Sequence, residues 1–387
     1  MKKKIAILGS TGSIGQSLIN IILKNKKDFK IVLLSTNKNY RKLINQAKQF
    51  NVKNLIITDK KIFLKIKNNK ISKEFNISNN FENIERVFKN KKIDYVMSSI
   101  IGIDGLYPTI KIIKHTKKIA IANKEAIICG WSLIRKALLK YKTTFIPVDS
   151  EHFSLWFGMK GNSNNISKIY LTASGGPFLK KNKESLKNIS ISSALNHPNW
   201  RMGKKISIDS ATMMNKVFEI IEARNIFDIP LNKISILTHP KSYIHAIIKF
   251  TNGMIKLIAH DTTMEIPIFN TLYSNKNKKF KPFNMKLDLL NNLEFRYVDK
   301  ERFRVVKILD KLKNNYSLFE TIIVSANDAL VNLYLQKKIK FNEISLILLK
   351  FIQKKQFEKY KVIRPKKIQN ILDMDRYVRL KINSMCI

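Results

Sequence analysis

Lys4-Ile5-Ala6-Ile7-Leu8-Gly9-Ser10-Thr11-Gly12-Ser13-Ile14-Gly15 is the stretch on which the reading of this chain turns. A short run of buried-strand character enters a glycine turn, and Ser17-Leu18-Ile19-Asn20-Ile21-Ile22 beyond it has a helical pattern. Glycines let a backbone turn sharply and approach a pyrophosphate, whose charge is met by the amides at the helix N-terminus. The spacing G-x-x-G-x-x-G is a variant of the dinucleotide fingerprint, and taken alone it also suits a plain turn.

The next strand pattern, Phe29-Lys30-Ile31-Val32-Leu33-Leu34, ends in Ser35-Thr36-Asn37-Lys38-Asn39-Tyr40-Arg41. An NAD site would usually place an acidic residue there for the ribose 2′-hydroxyl. Lys38, with Arg41 close by, instead offers cations for a 2′-phosphate, which points to NADP; the plain alternative is two more surface cations in a Lys-rich chain. Strand patterns return at Asn54-Leu55-Ile56-Ile57, Ile93-Asp94-Tyr95-Val96-Met97 and Lys118-Ile119-Ala120-Ile121-Ala122, with helical stretches between. That alternation predicts a parallel sheet.

The expected fold is α/β. An N-terminal Rossmann-like NADP-binding domain covers 1–148, and a central α+β catalytic domain covers 149–273 with a lid loop at about 175–205. A Lys/Asn-rich linker follows at 274–300, then a C-terminal helical domain at 301–387. In that last domain Ser317-Leu318-Phe319-Glu320 reads as a capping box opening a helix to about 337. Asn342 reads as the cap of a second helix to 355, and a third spans about 367–381.

Chemistry-bearing residues gather after the strands. Thr143-Thr144-Phe145-Ile146 reads as a strand, followed by Pro147-Val148-Asp149-Ser150-Glu151-His152. If the backbone stays extended, Asp149 and Glu151 point to one side and Ser150 to the other. Such a carboxylate pair attracts a cation; the alternative is a polar loop. Asn123-Lys124-Glu125 follows an earlier strand in the same manner, and Ile169-Tyr170-Leu171-Thr172 leads into Ala173-Ser174-Gly175-Gly176-Pro177-Phe178, whose glycines permit close approach to a ligand. His197-Pro198-Asn199-Trp200-Arg201-Met202-Gly203 lies in a polar loop where Trp200 either anchors the loop or closes over a substrate. Asp209-Ser210 reads as the cap of a helix over 211–224, on which Asn215, Lys216 and Glu219 share one face. Ser210 and Lys216 suit a phosphate and Glu219 a metal, against the alternative of a salt-bridged solvent face.

Composition bounds the partners. At 387 residues the chain predicts two or three domains, and 44% hydrophobic with 10% aromatic residues supports a buried core. The net charge of +44 comes from lysines scattered through nearly every segment, without a finger, RNP-type or basic-zipper pattern. It reads as compositional drift on solvated faces rather than as a specific nucleic-acid surface, and it raises encounter rates with anionic small molecules. Cys129 and Cys386 build no disulfide framework, which fits the reducing cytoplasm. Neither has the setting of a nucleophile, which disfavours a semialdehyde-type dehydrogenase. No uninterrupted run of 18 apolar residues predicts a membrane span, and Ile5-Ala6-Ile7-Leu8 stops at Gly9 as a strand does, not as an export signal does.

Together the blocks Gly9 to Gly15, Ala122 to Glu125, Pro147 to His152, Ser174 to Phe178, His197 to Trp200 and Asp209 to Lys216 resemble the 1-deoxy-D-xylulose 5-phosphate reductoisomerase family, over nearly the whole chain. The resemblance implies NADPH- and metal-dependent rearrangement and reduction of 1-deoxy-D-xylulose 5-phosphate to 2-C-methyl-D-erythritol 4-phosphate, in non-mevalonate isoprenoid biosynthesis. It also implies a homodimer. By the same resemblance Asp149, Glu151 and Glu219 are metal ligands for Mg²⁺ or Mn²⁺, with Co²⁺ a further candidate, and Ser174, Ser210, Asn215 and Lys216 hold the substrate phosphate. Lys124 and Ser150 lie near the reacting hydroxyls, Lys124, Glu151 and His197 are the catalytic candidates, and His197, Trp200 and Met202 sit on the lid. Gly9, Ser10, Thr11, Gly12, Ser13, Ile14, Gly15, Lys38, Asn39, Asn123, Glu125, Gly203 and Met264 bind NADPH. Two places depart from the family pattern: His260-Asp261-Thr262-Thr263-Met264-Glu265-Ile266-Pro267 lacks the Gly, Pro, Asp and Arg expected around Met264, and Asn327 is followed by Asp328 rather than Glu. Those departures bear on cofactor affinity and dimer packing.

Overall fold

Seven short strands, most of them apolar and buried along much of their length, account for the first part of the chain in the computed structural model. They are β1 (Lys3–Leu8), β2 (Phe29–Thr36), β3 (Asn54–Ile57), β4 (Asn76–Ser78), β5 (Ile93–Ser98), β6 (Thr116–Ile121) and β7 (Thr144–Pro147). The structure describes residues 2–68, 73–82, 84–88, 92–161, 165–179, 181, 186, 189–200, 202–273, 278–280, 285 and 287–386. The chain forms two compact units: Met1–Ala126 with Leu133–Asp149 and Met264–Phe280, and Ile127–Ser132 with Ser150–Thr263 and Lys281–Ile387.

In the first unit the strands make one parallel sheet in the order β4-β3-β2-β1-β5-β6-β7. The order reverses between β1 and β5, so the loops leaving those two strands flank the crevice in which open α/β sheets bind ligands. Ile5 to Leu8 are wholly buried, and Leu18, Ile22, Leu43, Leu55 and Met97 pack around them. The late helix Glu265–Tyr273 belongs to this core: Ile268 and Leu272 are buried in it, and the Tyr95 hydroxyl lies 2.7 Å from Oγ1 of Thr271. β4 went unread in the sequence because three residues carry no periodicity.

The second unit holds a mixed sheet of β8 (Ile166–Ala173), β9 (Ile234–Thr238), β10 (Ile244–Phe250), β11 (Ile255–Ala259) and β12 (Arg296–Tyr297), in the order β11-β10-β8-β9-β12. Only the β8–β9 pairing is parallel. β12 and the short helix Leu287–Asn291 lie within the stretch expected as a linker, of which 274–277, 281–284 and 286 are outside the described residues. Of the expected lid, residues 180, 182–185, 187, 188 and 201 are likewise outside them.

The capping box forms as the sequence predicts. The Ser317 amide donates to Glu320 Oε2 at 3.1 Å, the Phe319 amide donates to Ser317 Oγ at 3.3 Å, and the helix runs Leu318–Leu335. That helix is long and apolar enough to cross a membrane, but it is the buried core helix of this unit. The next helix is Phe341–Ile352, so Asn342 is not its cap; Glu343 instead accepts the Lys340 amide at 2.6 Å. The last helix, Ile368–Cys386, is longer than expected.

Candidate active site

The glycine turn after β1 is shaped by contacts that no larger residue could keep. Gly9 has φ +82, and a Cβ there would stand 2.7 Å from the Ser99 carbonyl oxygen; one on Gly15 would drive into the Gly9 carbonyl and lie 2.6 Å from Ser10 Cα. Gly12 is different, with ordinary φ and 3.5 Å to the nearest atom. It precedes the helix Ser13–Lys24, where the amides of Ser13, Ile14 and Gly15 have no intrahelical acceptor and are available to an anion. Ser10 and Thr11 turn inward: Ser10 Oγ donates to Gln46 Oε1 at 2.8 Å, and Thr11 Oγ1 lies 2.6 Å from Thr36 Oγ1. Their side chains brace the turn, and the Ser10 backbone does so too, its amide donating to the Ser35 carbonyl at 2.9 Å and its carbonyl accepting from Gln46 Nε2 at 3.0 Å.

Lys38 is exposed just beyond β2. Asn39 has a structural task, since its Oδ1 accepts the Lys42 amide at 3.2 Å and caps the helix Tyr40–Phe50. Asn123 caps the helix Lys124–Tyr141 by accepting the Ala126 amide at 2.7 Å. Its Nδ2 donates to the carbonyls of Gly102, at 2.7 Å, and Ile100, which pins the loop after β5. Glu125 is buried in the first turn of that helix, and the Lys124 ammonium pairs with Asp149. Met264 is half-buried against the core of the first unit.

The extended geometry expected for Asp149-Ser150-Glu151 is not what forms. Strand β7 ends at Pro147 and the helix Ser150–Gly158 starts at Ser150, so Glu151 sits in a first helical turn, where the partial positive charge of the helix N-terminus favours a carboxylate. Ser150 Oγ donates to Glu151 Oε2. An Asp followed by an acidic first turn is itself a helix-start signal, and it outweighs the β-branched run before it.

Asn215, Lys216 and Glu219 do share a face of one helix, Met214–Phe227, and that face is interior: Lys216 is 4% exposed and Glu219 1%. The Lys216 ammonium lies 2.8 Å from Glu151 Oε1 and also contacts Glu219, while Asn215 Nδ2 donates to Glu219 Oε1 at 2.5 Å. A carboxylate oxygen of Glu151 lies within 4.8 Å of one of Glu219. Burial alone would lower the Lys216 pKa, but the two carboxylates outweigh it and hold the amine above its ordinary value, firmly as the ammonium. Asp149 ends the first unit one residue before this helix pair begins. His152, quoted in the motif without a role, is fully buried and donates from Nε2 to the Glu219 carbonyl at 2.8 Å. Its adjacency to Glu151 was the only signal for it.

Asp209 does not cap that helix. It is buried inside a separate helix, Lys204–Ala211, and the break comes at Met213, whose φ is +71. Ser210 is half-buried in the last turn of that first helix. Gly176, at φ +68, packs directly under it: a Cβ there would stand 3.0 Å from the Ser210 carbonyl oxygen. The glycine turn after β8 is therefore fitted against its own chain.

Ser174 Oγ accepts the Gly176 amide at 3.1 Å and lies 3.1 Å from His197 Nε2. The amides of Asn199 and Trp200 both donate to His197 Nδ1 at 3.1 Å. Nδ1 is thus an acceptor, and the proton of the neutral ring sits on Nε2, donated to Ser174. Burial pushes the His197 pKa down to about 4, and the two amides act in the same sense. Trp200 packs edge-on to His245 with centroids 6.2 Å apart, and Asn199 Nδ2 donates to the Pro240 carbonyl at 2.7 Å and Ser242 Oγ at 2.8 Å. Asn199, absent from the sequence-derived site, anchors this loop. Met202 is half-buried, and exposed Gly203 precedes the Lys204–Ala211 helix with open space where a Cβ would lie.

Three family models match the chain: 1-deoxy-D-xylulose 5-phosphate reductoisomerase over residues 5–130, its C-terminal domain over 145–227, and a DXP reductoisomerase C-terminal domain over 261–381. The 1-deoxy-D-xylulose 5-phosphate reductoisomerase of Pelagibacter ubique is 57% identical over 391 residues, covering 100% of both chains. That of Clostridium kluyveri is 40% identical over 351 residues, covering 89% of this chain and 91% of its own. Among solved structures, the Zymomonas mobilis enzyme in complex with NADPH is 29% identical with a TM-score of 0.87, covering 100% of this chain and 99% of its own. A DOX-P reductoisomerase in complex with NADPH, fosmidomycin and magnesium is 29% identical with a TM-score of 0.91, covering 99% and 98%. With three family models in chain order and a relative matched end to end, this chain belongs to the 1-deoxy-D-xylulose 5-phosphate reductoisomerase family.

Proposed function

We propose that the protein converts 1-deoxy-D-xylulose 5-phosphate to 2-C-methyl-D-erythritol 4-phosphate with NADPH and a divalent cation, Mg²⁺ or Mn²⁺. The observation that carries this reading is the buried cluster in which Glu151 and Glu219 close on the Lys216 ammonium. Two carboxylates gathered about a positive charge are a hard-oxygen donor set, and the ammonium stands where a cation is wanted, so the residues fit a metal of that class. Asp149, Glu151 and Glu219 would hold it. When bound, the cation supplies Lewis-acid polarisation of substrate oxygens and NADPH supplies the reducing equivalent.

The chain's own residues bind and orient. Lys216, Asn215, Ser210 and Ser174 offer an ammonium, an amide and two hydroxyls to a phosphate, and that grip, remote from the reacting carbons, lends its binding energy to alignment. Neutral His197 presents an Nε2 proton beside Ser174. Lys124 and Ser150 supply polar contacts to substrate hydroxyls, and Trp200 and Met202 exclude water. The amides after Gly12 take the cofactor pyrophosphate, Lys38 its 2′-phosphate, and Asn123 holds the loop after β5 in place.

A homodimer is supported by β11, a sheet edge on which Ile255 and Leu257 lie exposed, with exposed Met254 just before it. Cys129 and Cys386 form no disulfide, which suits the reducing cytoplasm. The test is NADPH oxidation, followed by absorbance, with 1-deoxy-D-xylulose 5-phosphate and Mg²⁺ or Mn²⁺, beside a Glu219→Gln variant. Oxidation that depends on substrate and metal is expected, with the variant nearly inactive. An inactive wild type overturns the activity, and a fully active variant overturns the metal site.

A further inference from the structure

Behind Ser210, on the side away from Asn215 and Lys216 in sequence, a chain of ion pairs runs to the last helix of the protein. Asp209 is almost wholly buried, and both of its oxygens are taken: Oδ1 accepts from Asn327 Nδ2 at 2.8 Å, and Oδ2 lies 3.0 Å from the Lys205 ammonium. Lys205 also lies 3.0 Å from Asp328 Oδ1, and its ammonium stands 5.0 Å from the centre of the Phe218 ring, one residue before Glu219. Asp328 Oδ2 in turn accepts from Arg379 Nη2 at 3.1 Å, and Asp375, one turn back on the same helix, holds Arg379 Nε at 2.7 Å.

The sign of each group explains why the far end matters. Lys205 is shared between two carboxylates, so it balances only one of them. Arg379, itself shared with Asp375, supplies the second positive charge to a chain of three carboxylates, so without it Asp328 would draw Lys205 away from Asp209, which lies in the same helical turn as Ser210. We propose that Arg379 is a positioning residue for the phosphate-binding segment, acting through Asp328 and Lys205 on Asp209 and Ser210. The proposal rests on the phosphate role assigned above to Ser210. Asp328, where the family pattern has Glu, has the shorter side chain of the two and reaches both cations from the helix Leu318–Leu335.

The test is steady-state kinetics of the full-length enzyme with 1-deoxy-D-xylulose 5-phosphate, together with inhibition by inorganic phosphate. Arg379→Ala is expected to raise the substrate KM and the phosphate Ki about three- to tenfold while kcat stays within about twofold. The KM for NADPH should not move. Arg379→Lys, which keeps a charge at the same place, should restore most of the loss, and Lys205→Met combined with Arg379→Ala should cost less than the product of the two singly. A merely structural role would lower the melting temperature and the active fraction without splitting KM from kcat. Unchanged KM and phosphate Ki in Arg379→Ala, or independent effects of the two positions, overturn the proposal. Should Arg379→Ala fail to fold, Arg379→Gln removes the charge while keeping most of the side-chain stem, and a rise in both constants supports the proposal while none overturns it. Lys216→Gln separates the layers: if it leaves the phosphate Ki unchanged, the phosphate reading and this inference both fall; if it raises the Ki and the Arg379 variants do not, this inference alone falls.

Discussion

Nζ of Lys216 lies 2.8 Å from Oε1 of Glu151, sixty-five residues earlier in the chain, and the same ammonium contacts Glu219 on its own helix. One buried cation thus serves two carboxylates, and under the proposed phosphate role its positive charge would be divided among three anionic groups. Substrate phosphate and divalent metal would then cooperate, because each takes one side of a pair that otherwise satisfies itself.

Lys216→Met should therefore do two opposite things. Taking the ammonium from buried Glu219 and half-buried Glu151 costs about 3 kcal/mol of stability. Mg²⁺ should bind the variant more tightly than the wild type and restore much of that loss, whereas the substrate KM should rise. Thermal melts with and without Mg²⁺ give the comparison; equal stabilisation of both proteins by Mg²⁺ would mean that ammonium and metal do not compete.

The glycine turn separates packing from ligand binding. Gly15→Ala, whose Cβ would meet the backbone of Gly9 and Ser10, should lower the melting point of the ligand-free protein, at a cost of about 1–3 kcal/mol. Gly12→Ala has room and ordinary φ, so its cost should stay below about 1 kcal/mol while NADPH affinity falls. The reverse pattern in melts and NADPH titration would reassign the two positions.

His197 should titrate far below an ordinary histidine. With the folded pKa at about 4 against 6.5, the unfolded chain takes up the proton first as pH falls. The stabilisation from the neutral ring is complete above pH 6.5 and is lost as pH falls toward 4. Imidazole NMR shifts followed from pH 7 to 3.5 should show a midpoint near 4. A midpoint near 6.5 would mean that the ring is not buried as the fold places it.

Lys38 stands exposed beyond β2 with no acidic residue in the adjoining loop from Asn37 to Asn39. Lys38→Ala should narrow the preference for NADPH over NADH, read from the ratio of kcat/KM for the two cofactors, through loss of a charge-assisted contact worth about 1–2 kcal/mol. An unchanged ratio would move the 2′-phosphate contact elsewhere.

What the sequence made legible was local. The strand, glycine turn and helix at the start, the capping box at Ser317 and Glu320, and the shared face of Asn215, Lys216 and Glu219 each depend on residues a few positions apart, where spacing is enough. Asp149 and Glu151 were read on the wrong backbone, because a β-branched run was extended past a helix start at Ser150. Asp209 looked like a cap because Asp commonly is one; the real break falls at a left-handed methionine that no propensity marks. Long-range partnerships such as Asp209 with Asn327, or Lys205 with Asp328, lie more than a hundred residues apart and have no sequence pattern. Residues such as Ser10, Asn39 and Asn123, which sit at the expected ligand turns, spend their side chains on bracing and capping.

Met213 places two helices end to end with a fixed offset between them. A helix turns about 100° per residue, so one residue gained or lost at this joint would swing Asn215, Lys216 and Glu219 by more than a quarter turn relative to Ser210. Lys216 would then point away from Glu151, and no side-chain adjustment could recover the pair. Substitutions near this joint can be compensated by neighbours, but its length cannot. Insertions and deletions in descendants of this chain should spare the interval from Ser210 to Met214.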